Sequence, residues 1–271
     1  MKTETLVFDV KGHKINFISY VEEGSADRDA VLIFPGGGYE HLSTEREGDA
    51  VARAYLEEGL NAFIVHYAVG SEYTYPSHLI DASYAILYLK KNAEKYGINK
   101  DRIFTVGFSA GGHLSGSMAI LHKDPEVLSA LGIEKGENKP CGSVLAYPVV
   151  SARVNTHGGS FARLAGKPFT EITDEERQRL SLEENVDADS APLFIWHTSE
   201  DQAVPVIGSL RLAEAYYSIG RHFSLHVYPY GPHGIALANA ETSSGNPDWI
   251  QPLADGWVKD SVKWMKSLKS Y

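Results

Sequence analysis

Five short apolar runs, none broken by an internal charge, constrain the fold of this chain more than any other feature. They are Ala30–Phe34, Asn61–His66, Arg102–Val106, Gly142–Tyr147 and Pro192–His197. A strand with one wet face alternates apolar and polar side chains. An unbroken run of this length fits a strand covered on both faces, as in parallel sheets. Helical spacing fills the gaps. Glu45–Glu58 carries Ala50, Val51, Ala54 and Tyr55 and stops at Gly59; Ser77–Tyr96 carries Leu79, Ala82, Ile86 and Leu89 and stops at Gly97. Gly208–Ile219 closes at Gly220, and Asp255–Leu268 presents Trp257, Val258, Val262, Trp264 and Met265 on one stripe. Strand alternating with helix predicts a mainly parallel, doubly wound α/β sheet with flanking helices. Ahead of it, Leu6–Val10 and Lys14–Tyr20 alternate around Gly12, which predicts an N-terminal antiparallel hairpin. Arg221–Tyr228 alternates as well and reads as a last strand.

The chain has 271 residues and shows no repeat, low-complexity tract or flexible linker, so it reads as a single domain over 1–271. Two segments break the rhythm. Residues 151–189 exceed a simple crossover and hold a short charged helix near Thr173–Leu180; residues 235–253 are rich in Asn, Ser, Gly and Pro. Long segments of this kind often form lids or site loops. A formal net charge of −10 argues against nucleic acid and anionic membrane as partners, since both demand a basic face. The single cysteine, Cys141, excludes an internal disulfide and reads as a small buried residue. The first residues enter a strand pattern with no apolar leader, and the apolar runs are far short of the ~20 residues of a membrane span, so the expected location is cytoplasmic.

Chemistry enters with Gly107-Phe108-Ser109-Ala110-Gly111, a G-x-S-x-G placed after the run ending at Val106 and before a helical stretch, His113–Leu121. A serine at the tip of a strand-to-helix turn needs small neighbours two residues to either side, because the chain folds back on itself there. The helix that follows aims free N–H groups at the site, which suits a developing oxyanion. A phosphate cradle is the competing reading of the glycines, but Gly36-Gly37-Gly38 lacks both the Lys-Ser/Thr of a P-loop and the spacing of a dinucleotide fingerprint. Following the third strand, those glycines suit an oxyanion hole, with N–H donors from Gly37, Gly38 and Ala110; which of Gly36–Gly38 donate stays open.

Chain order selects the base from eleven histidines, since in such a site the acid and then the histidine follow the serine. His222 and His226 lie within the alternating run Arg221–Tyr228, about 13 Å apart at strand rise, whereas His233 sits in the loop after it. His233 is therefore the expected general base. The acid belongs after the run ending at His197. Asp201 is preferred over Glu200 there because a shorter carboxylate holds an imidazole more firmly.

With these residues in place, the sequence resembles the α/β-hydrolase superfamily, and within it the small carboxylesterases of the acetyl-esterase and acetyl-xylan-esterase-like group. Phe34–Tyr39, Asp101–His113, Trp196–Pro205 and Tyr230–Gly234 carry the resemblance. It implies a nucleophile at Ser109, an acid at Asp201, a base at His233 and an oxyanion hole at Gly37, Gly38 and Ala110. It further implies hydrolysis of short-chain, foremost acetyl, esters of small molecules such as acetylated sugars or xylo-oligosaccharides, with no cofactor or metal, and a dimer or tetramer as the assembly. Two departures stand out. Many relatives have His where this chain has Pro35, and the large N-terminal cap of hormone-sensitive-lipase-type enzymes is absent, which leaves residues 151–189 as the expected cover of the site. The same residues also fit an aryl formamidase or small peptidase, and, outside enzymes, an inactive hydrolase fold used as a binding module.

Overall fold

The computed structural model describes residues 1–153 and 155–268 and sets the apolar runs side by side in one eight-stranded sheet. The strands are β1 (Lys2–Val10), β2 (His13–Val21), β3 (Arg28–Phe34), β4 (Asn61–His66), β5 (Ile98–Phe108), β6 (Ser143–Ala146), β7 (Leu193–Thr198) and β8 (Phe223–Tyr228). Their order is β1-β2-β4-β3-β5-β6-β7-β8. The β1–β2 and β2–β4 pairs are antiparallel, and the pairs from β4 through β8 are parallel. The expected hairpin is present, and its two-residue turn puts both Lys11 (φ 54) and Gly12 (φ 93) at positive φ. That is the turn whose twist matches its flanking strands.

Helices cover both faces. They are α1 (Thr44–Glu47), α2 (Asp49–Glu57), α3 (Ser77–Lys91), α4 (Ala110–Ile120), α5 (Pro125–Leu131), α6 (Gly158–Ala165), α7 (Asp174–Leu180), α8 (Ile207–Ser218) and α9 (Trp257–Ser267). Successive residues of β3 feed opposite cores. Leu32 and Phe34 pack with Leu79 and Ile86 of α3 and Leu114 and Met118 of α4, whereas Val31 and Ile33 pack with Val51 and Tyr55 of α2 and Trp257 and Met265 of α9. Each fully buried large side chain contributes about 1.5–3 kcal/mol against the cost of ordering the chain. Being covered on both faces, the central strands need the unbroken apolar runs. β8, at the sheet edge, is half-buried and alternates instead.

Some element boundaries differ from the sequence reading. The single helix expected over Glu45–Glu58 is two, parted at Gly48 (φ −109, ψ −101), where a Cβ would lie 2.5 Å from the Thr44 carbonyl oxygen. α3 ends at Lys91 rather than reaching Tyr96. Two helices went unread. α5 starts with an Asp124 cap and Pro125 and stops at left-handed Gly132; α6 starts at a Gly-Gly pair that hides it, capped by His157. Cys141 is half-buried rather than buried. Because the strands from β4 to β8 run parallel, the loops after β3, β5, β7 and β8 leave the same edge of the sheet, where open α/β sheets place their sites.

Candidate active site

Ser109 joins β5 to α4 at φ 55, ψ −117, a conformation costly for any residue with a Cβ. Its neighbours show why the motif demands glycine. A Cβ at Gly107 would stand 1.9 Å from the carbonyl oxygen of Gly111, and one at Gly111 would stand 2.1 Å from that of Phe34. Both obstacles are backbone, which cannot swing aside. Gly111→Ala is therefore expected to lower the melting temperature by roughly 5–10 °C, as a strained overpacking substitution in a chain of this size. Calorimetry that found a wild-type melting temperature would refute this account of the turn.

The structure brings together the three side chains that the sequence singled out. Ser109 Oγ lies 2.8 Å from His233 Nε2, and His233 Nδ1 lies 2.6 Å from Asp201 Oδ2. Asp201 is held from both sides. Its Oδ1 accepts from the amides of Ala203 (3.0 Å) and Val204 (2.8 Å), and its Oδ2 also meets His197 Nε2 at 3.2 Å. His197 Nε2 is 2.8 Å from the Val204 carbonyl, which can only accept, so this nitrogen carries the proton and Nδ1 accepts from Ser209 Oγ. Burial alone would raise the Asp201 carboxyl, but the bonds from His197 and His233 outweigh it and hold the group well below the usual carboxylate range. Glu200 does not meet the imidazole; it accepts from the Gly231 amide at 3.1 Å. His226 stacks on Phe194 and bonds Ser224, and His222 precedes β8, so neither takes part in this constellation.

The glycine loop divides its labour. Gly36 N–H is already committed, donating to Glu47 Oε2 at 2.7 Å. Gly37 (φ 125) and Gly38 (φ 68) take positive φ, and among the described residues their amides, like that of Ala110, donate to no protein acceptor. These are the amides expected from the sequence as oxyanion donors, whereas the Gly36 amide is engaged by Glu47. The departure at Pro35 is braced by Tyr67, whose hydroxyl donates to the Pro35 carbonyl at 2.7 Å. Tyr39 anchors the far end, 2.8 Å from His113 Nδ1, while His113 Nε2 meets the Leu180 carbonyl at 2.8 Å. Burial lowers His113 to about 4, so the imidazole is neutral and serves as a fixed strut.

An open cleft of about 510 Å³ lies over Ser109 and His233. Glu40, His41, Arg46, His157 and Arg163 line it together with glycines, Ala203 and Val204, and Arg163 is paired to Glu40. Of residues 151–189, it is His157, Gly159 and Arg163, on or next to α6, that reach the cleft. No α7 residue lines the cleft, and its Arg179 pairs with Asp124 and Glu126; Val154 lies outside the described residues. Among the described residues no group of three or more His, Cys, Asp or Glu is arranged to hold a metal ion, and no helix is long and apolar enough to cross a membrane.

Sequence reasoning missed three residues here: Glu47, Tyr147 and His197. Glu47 falls in the helix read over Glu45–Glu58, off its apolar positions, so it reads as a solvated charge, yet it is 3% exposed. Tyr147 and His197 end apolar runs and read as strand residues. For His197 a signal existed, since it lies four positions before the chosen acid at the carboxyl end of a central strand.

Residues 18–216 match the family described as BD-FAE. The chain is similar to endo-1,4-beta-xylanase B of Butyrivibrio fibrisolvens, at 36% identity over 238 residues, covering 85% of this chain and 36% of that protein. It is also similar to an acetylxylan esterase of Xylanibacter ruminicola, at 27% identity over 266 residues, covering 94% of this chain and 48% of that protein. The chain thus spans less than half the length of these two curated relatives. Among solved structures it resembles an acetyl ester-xyloside bifunctional hydrolase from Caldicellulosiruptor lactoaceticus, at 32% identity and a TM-score of 0.78, covering 93% of this chain and 88% of that one. The carboxylesterase Cest-2923 from Lactobacillus plantarum shares the fold, at 24% identity and a TM-score of 0.85, over 98% of this chain and 97% of that one.

Proposed function

The chain belongs to the BD-FAE family of α/β hydrolases, and from that premise we propose that it is a serine carboxylesterase, acting through an acyl-enzyme on short-chain esters, acetylated sugars foremost. The observation that carries the reading is the hydrogen-bonded line Ser109–His233–Asp201 at 2.8 and 2.6 Å, opening onto a cleft beside unpaired amides. In the proposed reaction His233 Nε2 takes the Ser109 proton as Oγ attacks the ester carbonyl. The carbonyl oxygen becomes an oxyanion and receives N–H donors from Gly37, Gly38 and Ala110. His233 then returns the proton to the departing alcohol, and Asp201 stabilises the imidazolium in between. Water attacks the acyl-enzyme by the same route and releases the acid. Every proton and electron pair is supplied by these groups, so the chemistry needs no cofactor.

Within the cleft, Glu40, His41, Arg46, His157 and Arg163 offer hydrogen-bond partners to a hydroxylated leaving group, and similarity to an acetylxylan esterase and an acetyl ester-xyloside hydrolase supports that choice. Hydrolysis of p-nitrophenyl esters tests it. The expected result is a fall in kcat/KM of roughly tenfold or more from acetate to octanoate, with acetate released from acetylated xylo-oligosaccharides. A preference for octanoate would overturn the short-chain reading, and faster turnover of N-formylkynurenine would move the activity to amide hydrolysis.

A further inference from the structure

The reaction above leaves Glu47 without a task, although its carboxylate is the point where two loops of the site meet. Both oxygens are used. Oε2 accepts from the Gly36 amide at 2.7 Å and Oε1 accepts from the Tyr147 hydroxyl at 2.8 Å. Tyr147 is itself buried, and its hydroxyl accepts from the Ala236 amide at 3.0 Å, three residues beyond His233. Its ring stands edge-on to the His233 imidazole, 5.0 Å between centroids. The neighbouring Arg46 makes a parallel tie, donating to the Gly234 carbonyl at 2.9 Å. Gly36 itself is enclosed between the carboxylate and Ser109: a Cβ added there would lie 2.9 Å from Glu47 Oε2 and 3.0 Å from Ser109 Cβ.

Burying a carboxylate is costly, and burial pushes Glu47 above the usual range despite its two hydrogen bonds. Loop packing alone needs no acid at this place. An ionised carboxylate, however, accepts at both oxygens at once, which neither an amide nor an alcohol of the same reach can do. We propose that Glu47 is a positioning residue: its single carboxylate fixes the Gly36–Gly38 loop and, through Tyr147, the loop carrying His233, so that oxyanion amides and imidazole keep one geometry around Ser109. With Gly36 N–H turned back onto Glu47, the next peptide is set and the Gly37 and Gly38 amides stay free. This assignment rests on the esterase reading.

The test measures kcat and KM on p-nitrophenyl acetate, and the rate at which a fluorophosphonate labels Ser109, for wild type, Glu47→Gln, Glu47→Ala and Tyr147→Phe. Glutamine can accept one of the two hydrogen bonds but not both. Glu47→Gln is expected to lower kcat and labelling rate about tenfold with KM little changed, the equivalent of one lost charge-assisted bond. Glu47→Ala is expected to cost about a hundredfold, the scale of a small misplacement of catalytic groups. Tyr147→Phe should match Glu47→Gln, and the double variant should be no worse than the poorer single, because both cut the same link. Wild-type kcat and labelling in folded Glu47→Gln and Tyr147→Phe, or effects confined to KM, would overturn the proposal. Should Glu47→Ala fail to fold, the other two variants decide. A wild type that is labelled at Ser109 but hydrolyses no ester would sink the esterase reading instead, and the labelling rates would still judge Glu47.

Discussion

Ser109→Ala is expected to lower kcat on p-nitrophenyl acetate by roughly 10⁴–10⁶-fold and to abolish fluorophosphonate labelling, while the protein melts within a few degrees of wild type. The size of the loss follows from the geometry. Without Oγ there is no group 2.8 Å from His233 Nε2 to be activated, and the remaining amides of Gly37, Gly38 and Ala110 can only polarise a carbonyl for attack by bulk water. The fold loses little, because the deleted atom faces an open cleft where water can take its place beside the imidazole. A variant that kept wild-type activity would remove Ser109 from the chemistry and the acyl-enzyme with it.

Asp201→Asn is the second large effect, about 10⁴-fold in kcat. An asparagine keeps the shape but has a single acceptor oxygen. At this position two imidazoles converge on Oδ2 and two backbone amides on Oδ1, so the substituted amide must turn its NH₂ toward one pair of donors. Facing His233, it forces the wrong tautomer; facing Ala203 and Val204, it opens the loop. Stability should fall as well, by about 1–3 kcal/mol for the unsatisfied group. The wild-type carboxyl titrates below its unfolded value, so its contribution is present above the unfolded value and is lost as pH falls through the folded one. Asp201→Asn should therefore flatten the acid limb of the stability curve. Glu200→Gln, which touches only the Gly231 amide, should cost far less activity, and a reversal of that order would reassign the acid.

The parts of the site that could be read in advance are those whose spacing is set by backbone geometry. The elbow glycines are forced because a Cβ there would stand 1.9 and 2.1 Å from backbone oxygens, and His233 by the loop after the last strand, so a local pattern carries both. The sheet was legible for a related reason: strands covered on both faces need unbroken apolar runs. What escaped depends on tertiary contact. Glu47 looks like any charge in a short helix until Gly36 and Tyr147, 11 and 100 residues away, close over it. His197 becomes a second partner of Asp201 only once Ser209 and the Val204 carbonyl have fixed its ring. The break at Gly48 was hidden by the apolar spacing of the helix beyond it, and α6 by its leading glycines.

The backbone of Ser109, at φ 55 and ψ −117, has a bearing on how long such a protein lasts. A strained residue of this kind costs about 1–3 kcal/mol, against a total margin of about 5–15 kcal/mol for a folded domain. Glycine would occupy the turn at less expense, so a sturdier version of this chain is one that has given up the proposed nucleophile. Selection for durability and selection for turnover therefore pull in opposite directions at this position. Thermal tolerance in the proposed esterase has to be gained elsewhere, in cores, caps and surface, while the tip of the elbow keeps its strained backbone.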